Sequence, residues 1–375
     1  MMILLCFVIT MLYTILLLSL ILGFDNIPVF KNRKEHPQIG FSIVIPFRNE
    51  AENLSVLLNS LCLLDYPSSL FEILLVDDDS EDSSCQIIET FRKETPIKII
   101  LLKNERTTNS PKKDAITTAI KQAQHPWILT TDADCIVPKQ WLKTFDGYIQ
   151  EHLPQMVCGP INYLESRNFL QRFQQLELFS LIGATIGGFG MKKPFMCNGA
   201  NLCYSKKLFQ ELGGFDGNSQ IASGDDVFLL EKALKLQKDK VMFLKSKDAI
   251  VLTKSAPNLR TLIQQRVRWA SKSSHYKNSF GKLAGLIILG MNTLLVCLII
   301  LSSFHLANSK FLLYCFVVKF YLDLWLIVKT SIFFDSHKPL ISYILSSFIY
   351  PILSVTIAVN SAFLSYEWKG RRFRR

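Results

Sequence analysis

Two aspartates stand one residue apart directly after a short apolar run. Asp132 and Asp134 follow the segment PWILTT, whose apolar residues predict a buried strand. Carboxylates at this spacing repel each other, and each is stabilised by hydration or by a positive partner. Aspartate is also a common turn residue, so a simple turn after the strand is the alternative interpretation. The chemical hypothesis is a cation held between the two carboxylates.

Strands and helices alternate regularly along residues 41–134. The segments FSIVIP, FEILLVD, IKIILLK and PWILTTD predict four strands, and the segments between them place apolar residues at helical spacing. This alternation predicts right-handed crossovers, a parallel sheet and an α/β fold. In an open parallel sheet the carboxyl ends of the strands share one edge, where ligands bind.

Charged residues occupy that edge beside all four predicted strands. The set comprises Arg48 after the first strand, Asp77 and Asp78 after the second, Lys112 at the start of the helix after the third, and Asp132 and Asp134 after the fourth. Turns alone explain one such cluster more easily than four. The sequence has neither GxxxxGK nor a GxGxxG after the first strand, so a glycine-rich phosphate loop is not predicted. We therefore expect Asp132 and Asp134 to hold Mg²⁺ or Mn²⁺ that carries a nucleotide diphosphate.

Eight short motifs follow one another between residues 43 and 269. They are PFRNEAENL, VDDDSED, PKKDAI, TDADC, CNGANLCY, GGFD, SGDDVFLLEK and QRVRW. In these motifs and in its apolar flanks the chain resembles the membrane-bound family 2 glycosyltransferases with a GT-A fold. That group includes cellulose, chitin and hyaluronan synthases and ceramide glucosyltransferase. Each motif alone is weak evidence, whereas eight in the family's order are strong evidence.

The resemblance implies a Rossmann-like, mostly parallel GT-A sheet in a cytoplasmic domain flanked by transmembrane helices. It also implies roles for individual residues. The nucleotide pocket would be formed by Pro46, Arg48, Glu50, Asp77, Asp78 and Lys112. The metal would be held by Asp132 and Asp134, and Asp132 would also face the donor. Asp226 would be the catalytic base, together with Gln265, Arg268 and Trp269 of the QxxRW motif. Two departures matter: Pro111 replaces the usual glycine before the lysine, and the pair GDD leaves the role of Asp225 open.

The implied reaction is an inverting transfer from a UDP- or GDP-linked sugar to a lipid or lipid-linked glycan acceptor. A processive polysaccharide synthase of the cell envelope is the alternative, and a non-catalytic membrane binding protein of the same fold is a third. The small number of membrane segments argues against a self-contained polymer channel.

The segment Phe169–Phe189 is either a core helix or an interfacial segment that delivers the acceptor. Asn198 and Asn201 are candidates for contact with donor or acceptor.

Composition and charge define the domains. Of the 375 residues 49% are hydrophobic, and the net charge of +11 is concentrated beside apolar segments, so membrane rather than nucleic acid is the expected partner. We predict an anchor at 1–24, a GT-A domain at 40–275, a membrane region at 281–366 and a basic tail at 367–375. The basic stretch at 31–34 places the middle of the chain in the cytoplasm, at the plasma (inner) membrane.

The C-terminal region has three apolar segments, near 283–304, 311–334 and 340–364. The middle segment carries Lys319, Asp323 and Lys329, which are costly in lipid, so it either lies in the interface or faces other helices. Two crossings with one interfacial helix keep the basic tail inside, whereas three crossings place it outside.

Overall fold

The computed structural model describes residues 2–33, 36–164, 166–221, 223–363, 366–368 and 371–373. Lys34 of the predicted basic flank and Lys369, Gly370, Arg374 and Arg375 of the predicted tail lie outside the described residues.

The helices are α1 (Met2–Asn26), α2 (Ala51–Cys62), α3 (Ser84–Glu94), α4 (Pro111–Gln122), α5 (Trp141–His152), α6 (Phe169–Gly190), α7 (Lys206–Glu211), α8 (Asp225–Gln237), α9 (Leu259–Ser271), α10 (Ser279–Ser303), α11 (Ser309–Phe334) and α12 (Tyr343–Phe363). The strands are β1 (Phe41–Phe47), β2 (Phe71–Asp77), β3 (Ile99–Lys103), β4 (Trp127–Thr130), β5 (Met156–Cys158), β6 (Ile161–Tyr163), β7 (Leu202–Ser205), β8 (Val241–Phe243), β9 (Val251–Thr253), β10 (Tyr366–Trp368) and β11 (Arg371–Phe373).

The chain forms two compact units. The sheet unit comprises Pro28–Leu164 and Met196–Lys254, and the helical unit comprises Met1–Ile27, Glu165–Phe195 and Ser255–Arg375. Helix α6 therefore belongs to the helical unit, although the chain on both sides of it belongs to the sheet unit.

The sheet unit is built on seven strands in the order β3-β2-β1-β4-β7-β5-β8. The first four in that order are parallel to one another, whereas β7 is antiparallel to both of its neighbours. Strand β1 lies inside the sheet, between β2 and β4, and its residues Phe41, Ile43 and Val44 are fully buried. Helix α4 packs on β1 and β2. Because parallel strands are covered on both faces, they are apolar throughout, as the sequence of β1 indicates. The predicted, mostly parallel α/β sheet is confirmed.

In the described part of the helical unit, four helices are long and apolar enough to cross a membrane, at Ile3–Asn26, Ser279–Ser303, Ser309–Phe334 and Lys338–Phe363. The three apolar segments predicted near the C-terminus are thus helical. The charges of α11 face other groups of this unit. Lys319 forms an ion pair with Asp323 one turn later, and the hydroxyl of Tyr13 in α1 donates to Asp323. Lys329 pairs with Asp25 at 2.7 Å. This pairing favours the interpretation in which α11 packs among helices.

Helix α6 lies against α1 and α11 at a line of glycines. A Cβ atom added to Gly187 would overlap the backbone carbonyl oxygen of Leu20 in α1, and one added to Gly190 would overlap that of Gly23. A Cβ atom on Gly183 would meet the side chain of Thr330 in α11. Small residues spaced in this way let helix backbones approach closely, as in membrane helix pairs. Helix α6 is therefore a core helix of the helical unit.

We expect Gly187→Ala to lower the stability of the helical unit by about 1–3 kcal/mol, because the added methyl group must push α1 away from α6. The measurement is the melting temperature of the detergent-solubilised protein. The matched control is Gly285→Ala in α10, since a Cβ atom there has no heavy atom within 4 Å. Equal melting temperatures for the two variants would contradict the close packing.

Candidate active site

The residues predicted at the strand ends of the sheet unit do share one edge of the sheet. Pro46 lies opposite Val76 and Phe47 opposite Asp77, because β1 and β2 are paired in register. Asp132 and Asp134 follow β4, which borders β1 on its other side. Lys112 is the second residue of α4 and Asp226 the second residue of α8.

Lys112 connects the ends of β4 and α8. Its ammonium nitrogen lies 2.7 Å from Oδ1 of Asp132 and 3.4 Å from Oδ2 of Asp225. Burial alone would lower the pKa of Lys112, but the charges of Asp132 and Asp225 outweigh it, and the pKa is raised. The lysine therefore carries its charge among these carboxylates. Asp225, for which no role was predicted, has a side chain that is 10% exposed and belongs to this cluster.

Asp226 is fixed at the start of α8. Its Oδ2 accepts a hydrogen bond from the backbone N–H of Gly199 at 3.1 Å, and its Oδ1 accepts one from the N–H of Val227 at 2.8 Å. Gly224 precedes it with φ +85°, a conformation that glycine adopts without strain. Both carboxylate oxygens are thus fixed by backbone N–H groups, so the Asp226 side chain has a defined position at the start of α8.

Asp78 is held by an arginine that was not predicted. The guanidinium of Arg106 donates through Nε to Oδ1 at 2.6 Å and through Nη2 to Oδ2 at 2.8 Å. Asn104 donates to the same Oδ1 at 2.8 Å. Arg48 donates to the carbonyl oxygen of Asp78 at 2.7 Å and pairs with Glu81 at 2.9 Å. Arg48 therefore fixes the loop after β2, and Arg106 orients the Asp78 carboxylate.

Glu50 and Asp77 lie on either side of that loop. The backbone N–H of Glu50 donates to Oγ of Ser84 at 2.9 Å, and the Glu50 carboxylate accepts from Asn53. Oδ1 of Asp77 accepts from the N–H of Ser80 at 2.9 Å. A cavity of about 480 Å³ opens beside Asp77 and is lined by Asp77, Asp79, Ser80, Glu81, Cys85, Leu101, Leu102 and Lys103. Its volume suits a nucleoside-sized ligand. Burial and the charge of Asp77 raise the pKa of Cys85 to about 11, so this thiol is protonated at neutral pH.

Asn201 serves the core of the sheet unit. Its Nδ2 donates to the carbonyl oxygens of Pro160 and Ala249, both at 2.8 Å, and its Oδ1 accepts from Nε1 of Trp141 at 3.0 Å. The residue is fully buried. Asn198 accepts from the N–H of Ala200 and caps the turn that carries Asn201. These bonds give both asparagines structural roles in this turn.

Gln265, Arg268 and Trp269 lie on α9, in the helical unit. Arg266 within the same motif is buried, and its Nε and Nη2 donate to Oε2 of Glu177 in α6 at 2.9 and 2.7 Å. Its guanidinium also donates to the side-chain oxygen of Gln265 and lies 4.3 Å from the ring centre of Trp269. No role was predicted for Arg266. The signal in the sequence is Glu177, a lone acid on an otherwise uncharged stretch of α6.

Asp132 and Asp134 have the chemistry that Mg²⁺ and Mn²⁺ prefer, because both offer hard carboxylate oxygens. The ammonium of Lys112 at Asp132 indicates that a cation is favourable at this position. Within the described ranges no group of three or more His, Cys, Asp or Glu side chains forms a complete metal site. Two carboxylates are nevertheless sufficient where substrate phosphates supply the other ligands. The residues therefore fit the predicted metal, with a diphosphate as the remaining ligand.

Comparison with known proteins gives matches of three kinds. The model of glycosyl transferase family 2 matches residues 42–213. Among curated relatives, poly(ribitol-phosphate) β-N-acetylglucosaminyltransferase TarS of Staphylococcus aureus is 36% identical over 112 residues, which are 30% of this chain and 19% of the relative. Poly-β-1,6-N-acetyl-D-glucosamine synthase of Staphylococcus epidermidis is 24% identical over 249 residues, 64% of this chain and 56% of the relative. Glycosyltransferase AglE of Haloferax volcanii is 32% identical over 194 residues, which are 51% of this chain and 60% of the relative.

The chain spans less than two thirds of the length of each of these relatives. Among solved structures, the mannosyltransferase PcManGT of Pyrobaculum calidifontis, in complex with GDP-Man and Mn²⁺, superposes with a TM-score of 0.53 and 14% identity, covering 96% of this chain and 99% of that one. This likeness confirms the GT-A type of fold. The chain thus carries a segment, residues 42–213, that matches the model of glycosyl transferase family 2.

Proposed function

We propose that the chain is an inverting, metal-dependent glycosyltransferase that moves a sugar from a nucleotide-sugar donor to a lipid or lipid-linked glycan acceptor at the membrane. The observation that carries the proposal is the cluster of Lys112, Asp132 and Asp225 at the carboxyl end of the sheet, beside Asp226. The match of residues 42–213 to glycosyl transferase family 2 supports it, as do the four apolar helices in the described part of the chain.

The residues of the sheet unit divide the chemistry between them. Breaking the bond from the anomeric carbon to the diphosphate leaves negative charge on the phosphate oxygens, which the ammonium of Lys112 stabilises. Asp132 and Asp134 would hold Mg²⁺ or Mn²⁺, which supplies Lewis-acid stabilisation of the same charge when bound. Asp226 accepts the proton of the acceptor hydroxyl on the opposite face of the sugar. A single displacement of this kind inverts the anomeric centre.

The loop after β2 and the residues next to it bind the donor. The cavity beside Asp77 receives the nucleoside, with Pro46, Arg48 and Glu50 shaping the loop and Arg106 orienting Asp78. The resemblance in the QxxRW motif assigns Gln265, Arg268 and Trp269 of α9 to the diphosphate and acceptor, and within that helix Arg266 contacts Gln265 and Trp269. The relatives that transfer N-acetylglucosamine make UDP-GlcNAc the first donor to test, and GDP-Man the second.

We place the enzyme in the plasma (inner) membrane, with the sheet unit in the cytoplasm. Lys31 and Arg33 lie shortly after the end of α1 at Asn26, and positive flanks of membrane helices stay on the cytoplasmic side. Nucleotide sugars are then available to the cavity.

A processive polysaccharide synthase is the second candidate, favoured by the likeness to the poly-β-1,6-N-acetyl-D-glucosamine synthase. The deciding experiment incubates purified membranes with labelled UDP-GlcNAc or GDP-Man and measures both nucleotide release and product length. One sugar per lipid-extractable acceptor supports the single transfer, and a polymer supports the synthase. A protein that binds nucleotide sugar but releases no nucleotide contradicts both.

Asp226→Asn is expected to bind donor and metal nearly as the native protein does, while its transfer rate falls about 100-fold or more, because an amide cannot accept the proton. The measurement is the rate of nucleotide release at saturating donor, alongside donor affinity. The control is Asp239→Asn, an exposed aspartate just after α8, which should retain the native rate. If Asp226 only caps the helix, asparagine should replace it well. Near-normal turnover of the variant would therefore show that Asp226 is a helix cap and not the base.

Asp134→Ala should lose Mn²⁺ binding and transfer together, since the variant keeps one carboxylate of the pair where the metal needs both. EDTA should inactivate the native enzyme, and added Mn²⁺ or Mg²⁺ should restore it. The control is Asp239→Ala, in which both properties should stay native. Full activity in the presence of chelator would overturn the metal assignment.

A further inference from the structure

Lys112 places its charge against carboxylates from two different elements. The 2.7 Å contact is with Asp132 after β4, and the 3.4 Å contact is with Asp225 at the start of α8. The side chain of Lys112 is 18% exposed and that of Asp225 is 10% exposed. Charges sheltered to this degree are screened only weakly by salt. The ammonium therefore acts strongly on any other ion that approaches Asp132.

A divalent cation at the predicted metal site meets this ammonium. It has to share the Asp132 carboxylate with Lys112 or displace Lys112 from it, and like charges at such distances repel. A nucleotide diphosphate changes this balance, because its oxygens bring negative charge that both cations can contact. Lysine suits such an exchange, since its ammonium is a compact charge on a flexible stem.

We infer that Lys112 makes metal binding depend on the nucleotide diphosphate. In the donor-free protein its ammonium weakens the binding of a divalent cation to Asp132 and Asp134, and the bound diphosphate removes that penalty. The inference rests on the proposed function in one respect, the assignment of the metal to these two aspartates. By thermodynamic reciprocity the metal must strengthen nucleotide binding by the same factor.

A purely structural role for Lys112 predicts the opposite sign. If the lysine only ties α4 to β4 and α8, its removal loosens the cluster, and metal binding weakens or stays the same. If it is a competing charge, replacing it with a neutral side chain of similar length tightens metal binding in the absence of nucleotide. The direction of the change therefore separates the two roles.

The test measures Mn²⁺ binding to the full-length protein in detergent by electron paramagnetic resonance, alone and with UDP or GDP. For the native protein we expect nucleotide to tighten Mn²⁺ binding. For Lys112→Met we expect Mn²⁺ to bind about tenfold more tightly without nucleotide, and the enhancement by nucleotide to shrink by the same factor, a size typical of coupling between sites. Lys112→Arg keeps the charge and should keep most of the native coupling.

The matched control is Lys121→Met, on the same helix, whose lysine is 57% exposed and pairs with Glu105. It removes the same charge from the protein and should leave Mn²⁺ binding unchanged. Unchanged or weaker Mn²⁺ binding by folded Lys112→Met would overturn the inference. So would the absence of any nucleotide effect in the native protein, a result that needs no variant to fold.

Failure of the proposed function gives a different pattern. Mn²⁺ binding that persists in Asp134→Ala means that the metal lies elsewhere, whatever Lys112 does. Coupled binding of Mn²⁺ and nucleotide without any sugar transfer keeps the inference about Lys112 and removes the catalytic proposal.

Discussion

Negative charge crowded at the carboxyl end of the sheet has to be matched by positive charge nearby. The parallel strands bring Asp77, Asp78 and Asp132 to one edge, and α8 adds Asp225. Partly sheltered carboxylates of this kind are stable only with hydrogen bonds or cationic partners. The partners come from the segment between β3 and β4, which supplies Arg106 for Asp78 and Lys112 for Asp132 and Asp225. The conformation of that segment is therefore part of the site.

Much of this arrangement can be predicted from the sequence. Strands β1, β2 and β3 are long enough to show continuous apolar runs, β4 belongs to the apolar segment PWILTT, and the topology of alternating strands and helices places the end residues of all four together. Strands β5, β7 and β8 have only three or four residues, too few for a pattern to be distinguished from loop, and the antiparallel direction of β7 depends on long-range pairing.

The partners of the site residues could not be predicted in the same way. Arg106 and Asp78 are 28 residues apart, and Arg266 and Glu177 are 89 residues apart. No local periodicity links such residues, and an arginine in a polar loop has many possible partners. The two aspartates at 132 and 134 correctly indicate a positive partner, since the ammonium of Lys112 contacts Asp132. The sequence alone favours a metal there, whereas the protein itself already supplies an ammonium.

Charged residues of the helical unit are also matched by opposite charges, but these pairs contribute to helix packing. Lys319 pairs with Asp323, and Arg266 pairs with Glu177, with side chains that are at most 18% exposed. Such buried pairs add little net stability, but they fix which helix faces meet, because separating them leaves an unpaired charge in an apolar setting. At the edge of the sheet the Asp132 side chain is 39% exposed, although Lys112 is sheltered. A ligand can reach that pair and rearrange it, whereas the Lys319–Asp323 and Arg266–Glu177 pairs of the helical unit are buried. The difference in exposure makes the one pair suitable for chemistry and the others suitable for architecture.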